Sequence, residues 1–214
     1  MSHGEHDIKH VWFDMDGTLT IHTKEFDKVH NDLRYKTYAS VVGREVDDAL
    51  IDEYEALYKR CGSNSAVFTS LGKQSDFWMQ YFDQIDQNKY YEPIPDIYQT
   101  LDKLRQIVPI SLFTNARLAN TEKTLSVVNV ASDWFTHILS GDDVANRKPA
   151  LDGFHLMIEK SGIPAEQILY VGDRVDVDIK PAKAVGMLSY LVYSQSDDAD
   201  FCSKEFSGIL KLFS

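Results

Sequence analysis

Residues 11–20 read VWFDMDGTLT. Three apolar residues, Val11, Trp12 and Phe13, lead into Asp14; Asp16 follows, with Gly17 and Thr18 behind it. An apolar run bounded by a turn signal predicts a buried strand, over about residues 8–13. Two carboxylates at its end repel each other, and burial penalises both. Compensating charge must come from elsewhere in the chain.

Beyond Pro95 the pattern alternates. Helices are expected over 97–107, about 120–127, 152–161 and about 177–185. Strands are expected between and after them, over 109–114 (PISLFT), 137–140 (HILS), 167–172 (QILYVG) and 187–193 (MLSYLVY). Strands alternating with helices build a parallel sheet covered on both faces. The first strand belongs to that sheet, although residues 21–92 stand between it and the next core helix. Those residues are helical in pattern. Leu50, Tyr54, Leu57, Tyr58 and Cys61 recur at helical spacing, Phe77, Trp78, Tyr81, Phe82 and Ile85 mark another segment, and an earlier one covers 29–41. The prolines of YYEPIPD end the insert. The expected fold class is α/β: a doubly wound parallel sheet, residues 1–20 and 93–214, interrupted by an α-helical subdomain, residues 21–92.

In open parallel sheets, ligands bind outside the carboxyl ends of the strands. Polar residues stand there after each core strand but the last. Thr114 and Asn115 follow PISLFT, Lys148 and Pro149 lie in the loop after HILS, and GDRVDVD supplies Asp173, Asp176 and Asp178. Taken singly, these are ordinary turn, cap or loop residues. Four strand ends in one chain read instead as one crevice. Asp14, Asp16, Asp173 and Asp178 would concentrate negative charge there. Mg²⁺ resolves that repulsion, since it suits a few carboxylates completed by waters and a substrate phosphate. Lys148 adds positive charge, and Thr114 offers a hydroxyl and nearby backbone donors to an anion. Such a set suits a phosphoryl group, where catalysis is mostly positioning and charge stabilisation. One aspartate can attack phosphorus, while the other acts as general acid and then as base for water.

DMDGT at 14–18, TN at 114–115, KP at 148–149 and GDRVDVD at 172–178 together resemble the four motifs of the haloacid dehalogenase superfamily. They occur in order and span essentially the whole chain. The resemblance implies a Rossmann-like core, Asp14 as nucleophile, Asp16 as general acid/base, Thr114 and Asn115 binding the phosphoryl group, and Lys148 stabilising it. It implies Mg²⁺ held by Asp14, the Asp16 carbonyl and Asp173, with Asp178 as support behind them. The helical insert resembles the cap of the subfamily that includes phosphoglycolate phosphatase and β-phosphoglucomutase, and is expected to close over the crevice and select substrate. GREVDDAL at 43–50 resembles the cap's substrate-contacting turn, which makes Arg44 a candidate for a second anionic group. Dehalogenating members carry Tyr where this chain has Asp16. The chain departs from many relatives in KPALDGF, which lacks a second proline, and in Arg174, where Ser is frequent. The expected activity is a Mg²⁺-dependent phosphatase acting on a small phosphorylated metabolite through an aspartyl-phosphate. The alternatives are a phosphotransferase of the β-phosphoglucomutase type and a non-catalytic binding protein.

Composition narrows the classes further. The 214 residues suit a core domain with a smaller one. A net charge of -11 argues against holding a nucleic-acid backbone, which needs clustered Lys and Arg. Cys61 and Cys202 lack a metal-binding spacing. His3, His6 and His10 read as a solvated N-terminal tail. Without a signal-like or membrane-length apolar run, the expectation is a cytoplasmic protein, monomer or small homo-oligomer, that binds neither membrane nor nucleic acid.

Overall fold

The computed structural model describes residues 7–213; His3 and His6 lie outside the described residues. The chain divides into two compact units, one formed by residues up to Ile21 and from Tyr91 onward, the other by His22–Tyr90.

Strand β1 (His10–Phe13) is buried along its whole length, and β2 (Thr20–His22) follows the DMDGT turn. His10 is not a tail residue. It opens β1, buried, with Nε2 2.8 Å from Ser111 Oγ. In the helical unit, α1 (Lys24–Val42) begins at Thr23, whose hydroxyl accepts from the Phe26 amide, and ends at Gly43 in the left-handed region. Asp47 caps α2 (Asp48–Cys61) through the Leu50 amide. The short α3 (Asn64–Ser70) and α4 (Phe77–Phe82) complete the unit around Tyr38, Leu50, Tyr54, Phe68 and Trp78. The sequence pattern misses α3 because it buries only Asn64, Val67 and Phe68.

Strand β3 (Tyr91–Pro93) pairs with β2 in a two-stranded sheet. Then α5 (Ile97–Leu104), β4 (Ile110–Phe113), α6 (Leu118–Val127), β5 (Ile138–Leu139), α7 (Asp152–Ser161), β6 (Ile168–Gly172), α8 (Lys180–Ala184), β7 (Leu188–Val192) and β8 (Phe201–Ser203) follow. Six strands form one sheet in the order β5-β4-β1-β6-β7-β8, all neighbours parallel. From β1 the chain winds one way through β4 to β5, then crosses back and winds the other way from β6. The order reverses between β1 and β6, the place where open sheets of this kind bind ligands. Val11, Phe13, Leu112 and Val171 pack on one face with Leu101 of α5. Trp12, Phe113 and Tyr170 pack on the other with Phe154 and Met157 of α7. Burial on both faces explains why these strands read as continuous apolar runs.

Two further features differ from the sequence pattern. The acidic residues after β7, Asp197, Asp198 and Asp200, lead into a sixth strand, because Asp200 Oδ2 accepts from both the amide and the hydroxyl of Ser189. The expected helix at 177–185 starts earlier, as a π-helical turn over Val175–Ile179 in which the Ile179 amide reaches back to the Arg174 carbonyl. Pro181 then sits in the first turn of α8, where its missing N–H costs nothing. Among the described residues, no helix is long and apolar enough to cross a membrane.

Candidate active site

The turn after β1 is tied by its own backbone. The Met15 carbonyl accepts from the amides of Thr18, Leu19 and Thr20, and Gly17 N donates to Thr20 O at 2.7 Å; none of these bonds uses the Asp16 carbonyl. Gly17 has φ +89, and a Cβ there would lie 2.4 Å from Asp173 Oδ2. Glycine therefore admits both the left-handed backbone and the carboxylate packed against it. Gly172, at the end of β6, gives the same clearance to Asp178, whose Cβ would lie 2.4 Å from a Cβ at 172.

Lys148 organises the centre. Its side chain is fully buried, and Nζ donates to Asp14 Oδ1 at 2.6 Å, Asp178 Oδ1 at 2.8 Å and Tyr170 OH at 2.7 Å. An ammonium has three protons, and here three acceptors match them, the condition under which a desolvated charge is tolerated. The loop carrying Lys148 is clamped by Asn115. Its Oδ1 accepts from Lys148 N at 2.9 Å and its Nδ2 donates to Lys148 O at 3.0 Å.

Asp14 is 2% exposed, and its second oxygen, Oδ2, is buried without a hydrogen-bond partner among the described residues. Burial pushes the Asp14 carboxyl up to about 7 against the pull of Lys148, with Asp178 adding to the rise. Burial, then Asp178, also raises Asp173. Burial opposes the Lys148 charge, but Asp14 and Asp178 outweigh it and hold the ammonium protonated. Carboxylate oxygens of Asp14, Asp173 and Asp178 lie within 4.8 Å of one another. An all-oxygen set with one orphaned buried oxygen fits a hard divalent cation. Asp178 is the least available of the three, since Oδ1 is held by Lys148 and Oδ2 accepts from Arg174 N at 3.2 Å.

Thr114 is fully buried at the end of β4, its hydroxyl accepting from Ala116 N at 3.0 Å. Asp16 Oδ1 accepts from Tyr91 OH at 2.6 Å. Asp14, Asp173 and Asp178 thus meet at the carboxyl ends of β1 and β6, Lys148 joins Asp14 to Asp178, and Thr114 stands at the end of the neighbouring β4. Asp176 is exposed and paired with Lys180 at 2.7 Å. Arg44 belongs to the helical unit, where its guanidinium is 2.7 Å from Glu53 Oε2 and 3.6 Å from Asp47 Oδ1.

Three tyrosines of this site escape sequence reasoning. Tyr170 is the third acceptor for Lys148, and Tyr91 holds Asp16. Tyr193 adopts φ +63 just after β7 and donates to the Thr18 carbonyl at 2.8 Å. A left-handed backbone at a bulky residue is strained, and it is retained here where the side chain buttresses the DMDGT turn. The one sequence signal was the phenol in the otherwise aliphatic run ILYVG.

Comparison with known proteins places the chain in a family. Residues 8–186 match the family model of haloacid dehalogenase-like hydrolases. The chain is 26% identical over 125 residues to the glyceraldehyde 3-phosphate phosphatase of Methanocaldococcus jannaschii, covering 56% of this chain and 54% of that protein. It is 37% identical over 93 residues to the phosphoglycolate phosphatase of Escherichia coli strain K12, covering 43% of this chain and 36% of that protein. The matched stretches thus span about half and about a third of these two relatives. The crystal structure of a HAD phosphatase from Thermococcus onnurineus superposes with a TM-score of 0.72 at 20% identity, over 97% of this chain and 98% of that one.

Proposed function

The chain belongs to the haloacid dehalogenase-like hydrolase family, and on that premise we propose that it is a Mg²⁺-dependent phosphatase of small phosphomonoesters. The observation that carries this is the buried Lys148 ammonium shared by Asp14 and Asp178, beside an Asp14 oxygen left without a partner among the described residues. A structural ion pair has no use for an orphaned carboxylate oxygen, which costs stability unless something binds it.

Asp14 attacks phosphorus as the bond to the leaving oxygen breaks, and Asp16 gives that oxygen its proton. Asp16 then takes a proton from water, whose oxygen attacks the aspartyl-phosphate; phosphate leaves and Asp14 is restored. Lys148 offsets charge on the transferring group and holds Asp14 in line. The Thr114 hydroxyl holds a phosphoryl oxygen, while Asn115 serves by fixing the Lys148 loop. Asp14, Asp173 and the Asp16 carbonyl would hold Mg²⁺, with Asp178 behind them. When bound, the ion supplies charge neutralisation to phosphoryl oxygens. The relatives' names point to small organic phosphates as the substrate class.

The test is hydrolysis of p-nitrophenyl phosphate with Mg²⁺ or with EDTA, for wild type and Asp14→Asn. Activity that needs both the ion and Asp14 is expected, with a loss of at least about 1,000-fold in the variant. Activity surviving in Asp14→Asn would sink the mechanism. Phosphoglycolate, glyceraldehyde 3-phosphate and a hexose 1-phosphate then define the substrate, and an isomerised sugar phosphate as product would identify a mutase.

A further inference from the structure

We propose that Tyr91 is the positioning residue of the acid–base carboxylate: its phenol holds Asp16 Oδ1, so that Asp16 Oδ2 carries the transferable proton and is presented to the leaving oxygen. This rests on Asp16 serving as general acid and base.

Tyr91 opens β3, and β3 is paired with β2, the strand that begins at Thr20 just beyond the DMDGT turn. Pairing of these two strands sets a buried phenol beside a residue 75 positions away. The 2.6 Å separation is that of a charge-assisted O–H···O⁻ bond. In this bond the buried phenol is the donor and the Asp16 carboxylate the acceptor, so Tyr91 does not compete for the proton on the other oxygen.

The consequence for Asp16 is chemical. The terminal torsion of an aspartate is broad and two-fold, so an unheld carboxyl samples both faces and either oxygen can carry the proton. When Oδ1 accepts a hydrogen bond, the acid form keeps its proton on Oδ2. One phenol thus selects the reactive oxygen and fixes its plane. Misplacing a proton donor by a fraction of an ångström is costly in a reaction that depends on alignment.

The test uses the full chain with Mg²⁺ and two aryl esters of nearly the same shape. Phenyl phosphate expels a basic phenolate that needs a proton. p-Nitrophenyl phosphate expels an anion that leaves readily without one. Tyr91→Phe is expected to lower kcat/KM for phenyl phosphate by about 10- to 100-fold and for p-nitrophenyl phosphate by no more than about 3-fold. In an Asp16→Asn background the same change should have no further effect on phenyl phosphate. Equal losses on both esters, or an additional loss in the Asp16→Asn background, would assign Tyr91 a purely structural role and overturn the proposal. Thermal unfolding of Tyr91→Phe shows whether an equal loss reflects a weakened fold. If the wild type hydrolyses neither ester in an Asp14-dependent way, the phosphatase reading itself fails, and this inference with it.

Discussion

Replacing Lys148 by methionine removes one charge from the middle of the site while keeping most of its aliphatic stem. The ammonium it carries lies 5.3 and 5.4 Å from the ring centroids of Phe113 and Tyr170. Asp14 Oδ1 and Asp178 Oδ1 approach that nitrogen to 2.6 and 2.8 Å. Without it they face each other across roughly 5 Å, where like charges repel by about 3 kcal/mol at an effective dielectric constant of about 20. Breaking a buried ion pair from one side costs about 3–5 kcal/mol, most of it the penalty on the abandoned charge. Lys148→Met should therefore lose about 3–5 kcal/mol of stability by urea unfolding at pH 8 in EDTA, where no cation replaces the ammonium. Lowering the pH toward about 7 should narrow the gap, because a proton on Asp14, whose carboxyl burial has already raised, relieves the repulsion. Adding Asp178→Asn should return about 2–3 kcal/mol, since it removes one of the two charges in conflict. A Lys148→Met protein within about 1 kcal/mol of wild type, or a double variant weaker than the single one, would refute the electrostatic account of the site.

Three further outcomes follow from the geometry. Gly17→Ala forces a Cβ against Asp173 Oδ2 in a left-handed backbone; it should cost about 2 kcal/mol in thermal unfolding and raise the Mg²⁺ concentration for half-maximal activity. Asn115→Ala removes both bonds to the Lys148 backbone and should lower the urea midpoint by an amount equivalent to about 2 kcal/mol. Burial, with His137 second, lowers His10 from 6.5 to about 4. The unfolded chain therefore takes up a proton that the folded chain refuses. This contribution is complete above pH 6.5 and is lost as pH falls toward about 4, at up to about 1.4 kcal/mol per pH unit. His10→Gln should show a shallower loss of stability across that window in urea titrations.

The sequence by itself determined most of the sheet and the strand ends where the candidate site lies. Strands buried on both faces must be written as apolar runs, so β1, β4, β6 and β7 were visible without any knowledge of their neighbours. Strand ends must carry the polar residues of a ligand site, so Asp14, Thr114, Lys148 and Asp173 stood out in order. Strand β8 was hidden because Phe201–Ser203 has no apolar run; its place is set by Asp200 gripping Ser189.

Only the tertiary structure decided how the charges pair. Lys148 reaches Asp14 and Asp178, which lie 134 and 30 residues away in the chain, so no spacing rule announces their meeting. It also gave Asn115 to the Lys148 backbone and tied Arg44 to Glu53. The tyrosines were the least legible. An aromatic ring in a strand looks like core filling whether or not its hydroxyl has a partner. What gives Tyr170 and Tyr91 their work is strand pairing, which sets β6 beside β1 and β3 beside β2 and so brings each phenol to one charged atom of the site.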